Sequence, residues 1–209
     1  VLTQGELVIA KAITITGPGA DKLAIDAAGA SRVMALWGTS NVVEISGLTI
    51  TGGNSVPSGG GIFSVAQLKL TSVDVSGNVS GNVGGGIAVE NGKLEVVTST
   101  IHDNRAVNGG GGIGAWINAV NAIIIDQSTI SNNVAANGGG VAVTSTHSTP
   151  ATASVLFSRS TITQNIASNG VGGIGGGVCN VNGATITSHG SIIAGNTACL
   201  LYTSDAADE

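Results

Sequence analysis

The run Thr129-Ile130-Ser131-Asn132-Asn133, followed by Gly138-Gly139-Gly140-Val141, decides how the whole chain is read. An apolar residue three places before an Asn closes one short strand, and a glycine cluster opens the next. The ending recurs as Val75-Ser76-Gly77-Asn78, Ile101-His102-Asp103-Asn104, Ile162-Thr163-Gln164-Asn165 and Ile193-Ala194-Gly195-Asn196. The opening recurs as Gly59-Gly60-Gly61-Ile62, Gly84-Gly85-Gly86-Ile87 and Gly110-Gly111-Gly112-Ile113, with a looser Gly175-Gly176-Gly177-Val178. Successive Asn positions lie 26, 29, 32 and 31 residues apart. A fixed phrase at such a period marks a repeat architecture, each unit stacking on the last.

The segments between these beats read as strands. Leu7–Ile9, Ile13–Thr16, Leu48–Thr51, Leu68–Leu70, Leu94–Val96, Ile123–Ile125, Val155–Phe157 and Ala184–Ile186 alternate apolar residues with Thr, Ser or Lys. That period of two is the mark of a sheet with one buried face. About three such segments fall between successive Asn endings, with no helical pattern among them. The expected fold is therefore all-β: a right-handed single-stranded parallel β-helix of about seven coils with three short strands per coil. Parallel connections favour that hand, and seven coils at about 4.8 Å give a stack of roughly 34 Å.

The recurrent residues suit this geometry. Glycine fits corners that need φ > 0 or close approach of neighbouring coils. Asn tolerates the left-handed conformation, and its amide can bond to the Asn above and below. Asn78, Asn104, Asn133, Asn165 and Asn196 are thus expected to form an internal ladder. Surplus length falls in the turns Thr144–Thr152 and Gln164–Gly176, the kind of projecting loop that binds partners.

Composition narrows the function classes. The chain has 209 residues, 42% hydrophobic and only 9% charged, which excludes a disordered segment. Gly, Thr, Ser, Asn, Val and Ile dominate, which disfavours helices. No apolar run is long enough for a membrane-spanning helix. A formal charge of −5 argues against nucleic acid as a partner.

Both ends read as truncated. Val1–Ile9 has neither a basic n-region nor a cleavage site. Residues 199–209 abandon the repeat and resemble the translation of a transposase-type sequencing adapter, as a metagenomic fragment can carry; a genuine acidic tail is the alternative. Leaving out its three acidic residues takes the formal charge from −5 to −2 and leaves Cys179 as the sole cysteine. One cysteine permits no internal disulfide. The domain reading is residues 1–198 as a β-helix fragment, with further coils of the same protein expected at both ends.

The paired phrases Gly-Gly-x-Ile and apolar-x-x-Asn resemble the repeats of bacterial polymorphic outer-membrane proteins and related surface β-helix proteins. That family usually carries Phe at the start of the second phrase, where this chain has Ile or Val. The opening Ile13-Thr14-Ile15-Thr16-Gly17-Pro18-Gly19, with Ile45–Gly52, resembles the first coils of large repeat-rich bacterial secreted proteins. The resemblance covers about residues 5 to 198. It implies a secreted or cell-surface setting and leaves activity open, because such scaffolds host adhesins, lyases and glycosidases alike.

Chemistry is sparse. β-Helix lyases and hydrolases need clustered carboxylates, yet between Glu95 and residue 198 only Asp103 and Asp126 occur. The densest polar group is His102-Asp103-Asn104-Arg105, which offers a base, a carboxylate and a cation on one turn. The bland alternative is a solvated corner with an Asp103–Arg105 pair worth under about 1 kcal/mol. Asp74 lies in a strand and Asp103 in an ending phrase, so the two do not occupy equivalent positions. His147 and His189 stand alone and suggest no metal site. The glycine clusters lack the Asp of calcium-binding nonapeptides and the Lys-Ser/Thr of phosphate loops. No cofactor is implied.

Among aromatic residues, Phe63 and Phe157 read as core, and Trp116, ending a strand, as core or as a surface contact. Flat arrays of Thr can bind ice, and Thr-x-Thr pairs stand at Thr14/Thr16, Thr49/Thr51, Thr161/Thr163 and Thr185/Thr187. Unequal coil lengths are expected to break their register. The resulting expectation is an adhesive stalk or passenger region that displays loops towards host or environmental polysaccharide or protein surfaces. A carbohydrate-active β-helix enzyme with incomplete active coils is the alternative, and an ice-binding solenoid a third reading.

Overall fold

The computed structural model describes residues 1–117, 122–145, 154–168, 173–181 and 184–199. Every described element is a β-strand or turn, and every strand pairing is parallel. The chain winds as a β-solenoid of about six turns. It builds four sheets that run the length of the stack, three of seven strands and one of six.

One coil shows the plan. Ile87–Glu90 lies in the first sheet, Lys93–Val97 in the second, Thr100–His102 in the third and Arg105–Ala106 in the fourth. The next coil repeats this with Ile113–Ile117, Ala122–Asp126, Thr129–Ser131 and Val134–Ala135. The fourth strand exceeds the three expected per coil. It holds two or three residues directly after each ending, too few for alternation to reveal.

Inward positions stack in register. In the third sheet Ile50, Val75, Ile101, Ile130 and Ile162 form one column, each fully buried. Full burial of such a side chain is worth about 1.5–3 kcal/mol. Since no single coil encloses its own apolar face, these columns hold the stack together.

The corners explain the sequence phrases. The left-handed residue of each ending is not the Asn but the residue before it: Gly77, Asp103, Asn132, Gln164 and Gly195 all have φ between 53° and 67°. Placing the twist one step earlier turns the Asn side chain inward. Within a glycine triplet only the first residue is left-handed, as Gly110 is at φ 62°. The second is squeezed by the neighbouring coil: a Cβ on Gly111 would lie 2.5 Å from Gly139 O and 2.6 Å from Val134 O. The first two positions of the triplet are thus constrained for different reasons.

Candidate functional site

The five Asn occupy one internal column. Asn78 Nδ2 donates to Asn104 Oδ1 (3.0 Å), Asn104 to Asn133 (3.0 Å), Asn133 to Asn165 (2.9 Å) and Asn165 to Asn196 (2.9 Å). Each acceptor Oδ1 also receives the backbone N–H of the Asn before it in the column. The second amide proton goes to a strand carbonyl of the preceding coil, as from Asn133 to Ile101 O at 3.0 Å. Asn78, Asn104, Asn133 and Asn165 are buried, and an amide in that setting must be bonded. At its start the column is received by a backbone group, Gly53 N–H, which donates to Asn78 Oδ1 at 2.9 Å.

A second column runs at the corner between the second and third sheets. Val73 N–H donates to Ser99 Oγ, Ser99 N–H to Ser128 Oγ, Ser128 N–H to Ser160 Oγ and Ser160 N–H to Ser191 Oγ, all at 3.0–3.1 Å. Sequence reasoning missed it. Its signal was present as Ser99-Thr100-Ile101, Ser128-Thr129-Ile130 and Ser160-Thr161-Ile162.

The His102 group is organised differently from the sequence expectation. Thr100, not His102, stands opposite Asp74 in the third sheet, and His102 stands opposite Ser76. His102 nevertheless reaches across the coils: Nε2 lies 2.9 Å from Asp74 Oδ2, while Nδ1 lies 2.6 Å from Asp103 Oδ2. Ser76 Oγ donates to Asp74 Oδ1. Asp103 therefore turns to His102 and not to Arg105, and among the described residues Arg105 makes no ion pair. Burial alone pushes the imidazole pKa down. Hydrogen bonding and charge from Asp103 and Asp74 outweigh that and hold it above its ordinary 6.5.

Asp126 stands apart from this cluster. Arg159 grips it with three bonds, Nη2 to Oδ2 at 2.7 Å, Nη2 to Oδ1 at 2.8 Å and Nε to Oδ1 at 3.2 Å, and holds its carboxyl below the usual range. A site joining Asp74, Asp103 and Asp126 is not formed. The His102 cluster itself lies on an outer sheet face beside a shallow depression lined by Asp21, Ser72, Asp74 and Thr98. Nothing there excludes water, as enclosed catalytic sites do. His189 is exposed at the end of Thr185–His189. His147, most of the turn Thr144–Thr152 and residues 200–209 lie outside the described residues.

Two of the four Thr pairs, Thr49/Thr51 and Thr161/Thr163, share columns, while Thr14/Thr16 and Thr185/Thr187 lie in the second sheet. In the third sheet, Thr49, Asp74, Thr100, Thr129 and Thr161 form one outer column, and Thr51, Ser76, His102, Ser131 and Thr163 the next. Charge at Asp74 and His102, not coil length, interrupts the hydroxyl array.

Aromatic residues gather on the outer face of the first sheet. Phe63, expected in the core, points outward; Phe157 is fully buried. The Phe63 ring lies 5.4 Å from Trp37 and 5.2 Å from the Arg32 guanidinium, which also binds Glu6 at 2.8 Å. Phe63 belongs to an outer column continued by Ala88, Gly114, Ala142 and Cys179. Beyond Phe63 the column is small, and glycine corners fold over it: a Cβ on Gly114 would lie 2.5 Å from Gly84 N. A trench results, floored by Gly114, Ala142 and Cys179, with Trp116 and Thr144 along one side and Asn108 and Asn137 along the other. It holds about 160 Å³. Burial pushes the Cys179 thiol pKa up.

Compared with known proteins, the chain matches no family, no curated protein and no solved structure. The fold itself defines the class: a parallel β-solenoid.

Proposed function

We propose that this chain is a structural and adhesive stalk, or passenger region, of a bacterial secreted or cell-surface protein akin to the polymorphic outer-membrane group. It displays corners and an outer face from a rigid β-helix. The observation that carries this reading is where the repeat tolerates change. The connection from first to second sheet varies from coil to coil: three residues after Ile9, five after Leu36, two after Ser64 and after Glu90, four after Ile117, eight after Ser145 and three after Val181. From Asn78 to Asn165 the Asn column keeps its spacing of 2.9–3.0 Å. A scaffold of fixed register with corners of unequal length suits presentation, and loops held by a rigid frame are the usual carriers of binding.

The test is adhesion of protein-coated beads to polysaccharide and protein surfaces. A variant in which residues 146–153 are replaced by Asn-Gly, the connection after Glu90, should stay folded by circular dichroism and lose adhesion. Undiminished adhesion by that folded variant contradicts presentation by this corner.

A carbohydrate-active enzyme is the second reading, favoured by one observation: His102 held between two carboxylates. It requires that reducing ends or unsaturated products appear when the protein meets a polysaccharide, and that His102→Ala abolishes them.

A further inference from the structure

The trench on the outer face of the first sheet has the chemistry of a sugar subsite. Among the described residues its lining includes one indole, two amides and a hydroxyl, and no carboxylate, ammonium or guanidinium. A ligand carrying charge would lose its hydration there without gaining a counter-charge, which is costly. A neutral ligand with an apolar face and a rim of hydroxyls meets both parts of the wall. Its C–H groups lie against the Trp116 ring, whose face is electron-rich. Its hydroxyls find the Asn108 and Asn137 amides, each of which carries donors and an acceptor.

Shape points the same way. A volume of about 160 Å³ is below the roughly 300 Å³ of pockets that enclose drug-sized ligands, so it seats one ring and not a whole molecule. The trench runs along the axis over Gly114, Ala142 and Cys179 of three successive coils, and the same column is filled by Phe63 two coils before Gly114. Trp116, Thr144 and Val181 stand in register on successive coils, so neighbouring rings of one chain meet equivalent wall positions. Corner glycines with small floor residues make the depth, because any larger side chain at Gly114 would strike Gly84.

We propose that the trench beside Trp116 binds a neutral polysaccharide chain, one sugar ring stacked on the indole. This deepens the adhesive reading and rests on it. The Trp37→Phe variant leaves Trp116 as the single tryptophan, since the chain has two. Its fluorescence is titrated with neutral oligosaccharides built on glucose, xylose, mannose, galactose and N-acetylglucosamine, and with oligogalacturonate as the charged control. The expected result is a saturable shift with at least one neutral series and none with oligogalacturonate. Trp116→Ala, read by calorimetry, should weaken that binding at least about tenfold, and Trp116→Phe should retain part of it, with unchanged melting temperatures. Silence across the neutral panel overturns the proposal, as does preference for the acidic oligomer or indifference to Trp116→Ala. Bead adhesion that persists while the panel is silent leaves the stalk reading standing and removes only the trench; loss of both removes both.

Discussion

Asn133 Nδ2 donates to Asn165 Oδ1 at 2.9 Å, joining residues 32 apart in sequence. Asn133 Oδ1 in turn accepts from both the backbone N–H and the Nδ2 of Asn104, each at 3.0 Å. Removing one amide therefore leaves groups of two neighbouring coils unbonded in a dry interior. Asn133→Ala should destabilise the protein by about 1–3 kcal/mol, read from chemical denaturation. A change near zero would show that the column contributes nothing.

The Ser column makes a graded comparison. Ser128 Oγ accepts from Ser99 N–H and donates to Asp126 O at 2.7 Å. It handles fewer buried groups than Asn133, so Ser128→Ala should cost about 1 kcal/mol. A loss larger than that of Asn133→Ala would reverse the ranking of the two columns.

Glycines of similar appearance should respond oppositely. Gly111→Ala drives a Cβ into backbone atoms 2.5–2.6 Å away and should cost more than about 4 kcal/mol or prevent folding. Gly77 has φ 65°, a Cβ there would meet only the Thr51 hydroxyl, at 3.3 Å, and Asp103 and Asn132 occupy its position in other coils. Gly77→Asn should therefore change stability by less than about 1 kcal/mol. Thermal melts of the two variants decide this.

His102 gives the protein a pH signature. Its folded pKa is raised, so the stabilisation is fully present below the unfolded value of 6.5 and is lost as pH rises through the folded pKa. Melting temperature measured from about pH 5 to about pH 9 should fall across that window, and His102→Gln should flatten the fall. Asp126 acts with the opposite sign: its lowered pKa makes the Arg159 contact weaken only under strongly acid conditions.

Much of the fold was legible because it is written in repeated residues. Asn endings and glycine triplets recur since every coil solves the same corner problem. The fourth sheet was not legible, because strands such as Val79–Ser80 and Arg105–Ala106 are too short to alternate. The His102–Asp74 contact was hidden for another reason: the residues are 28 apart and sit at different points of their phrases. Phe63 misled because alternation fixes which residues share a face but not which face is inside. The trench left almost no trace, since its floor is defined by what Gly114 and Ala142 lack.

The proposed function has this solenoid hold surfaces without transforming them. The most direct measurement incubates the protein with the polysaccharides to which coated beads adhere, and follows retention and chain length together. The account predicts retention of intact polymer, with no new reducing ends or unsaturated products. Shortening of the polymer that disappears in the Asp74→Asn and His102→Ala variants would contradict it.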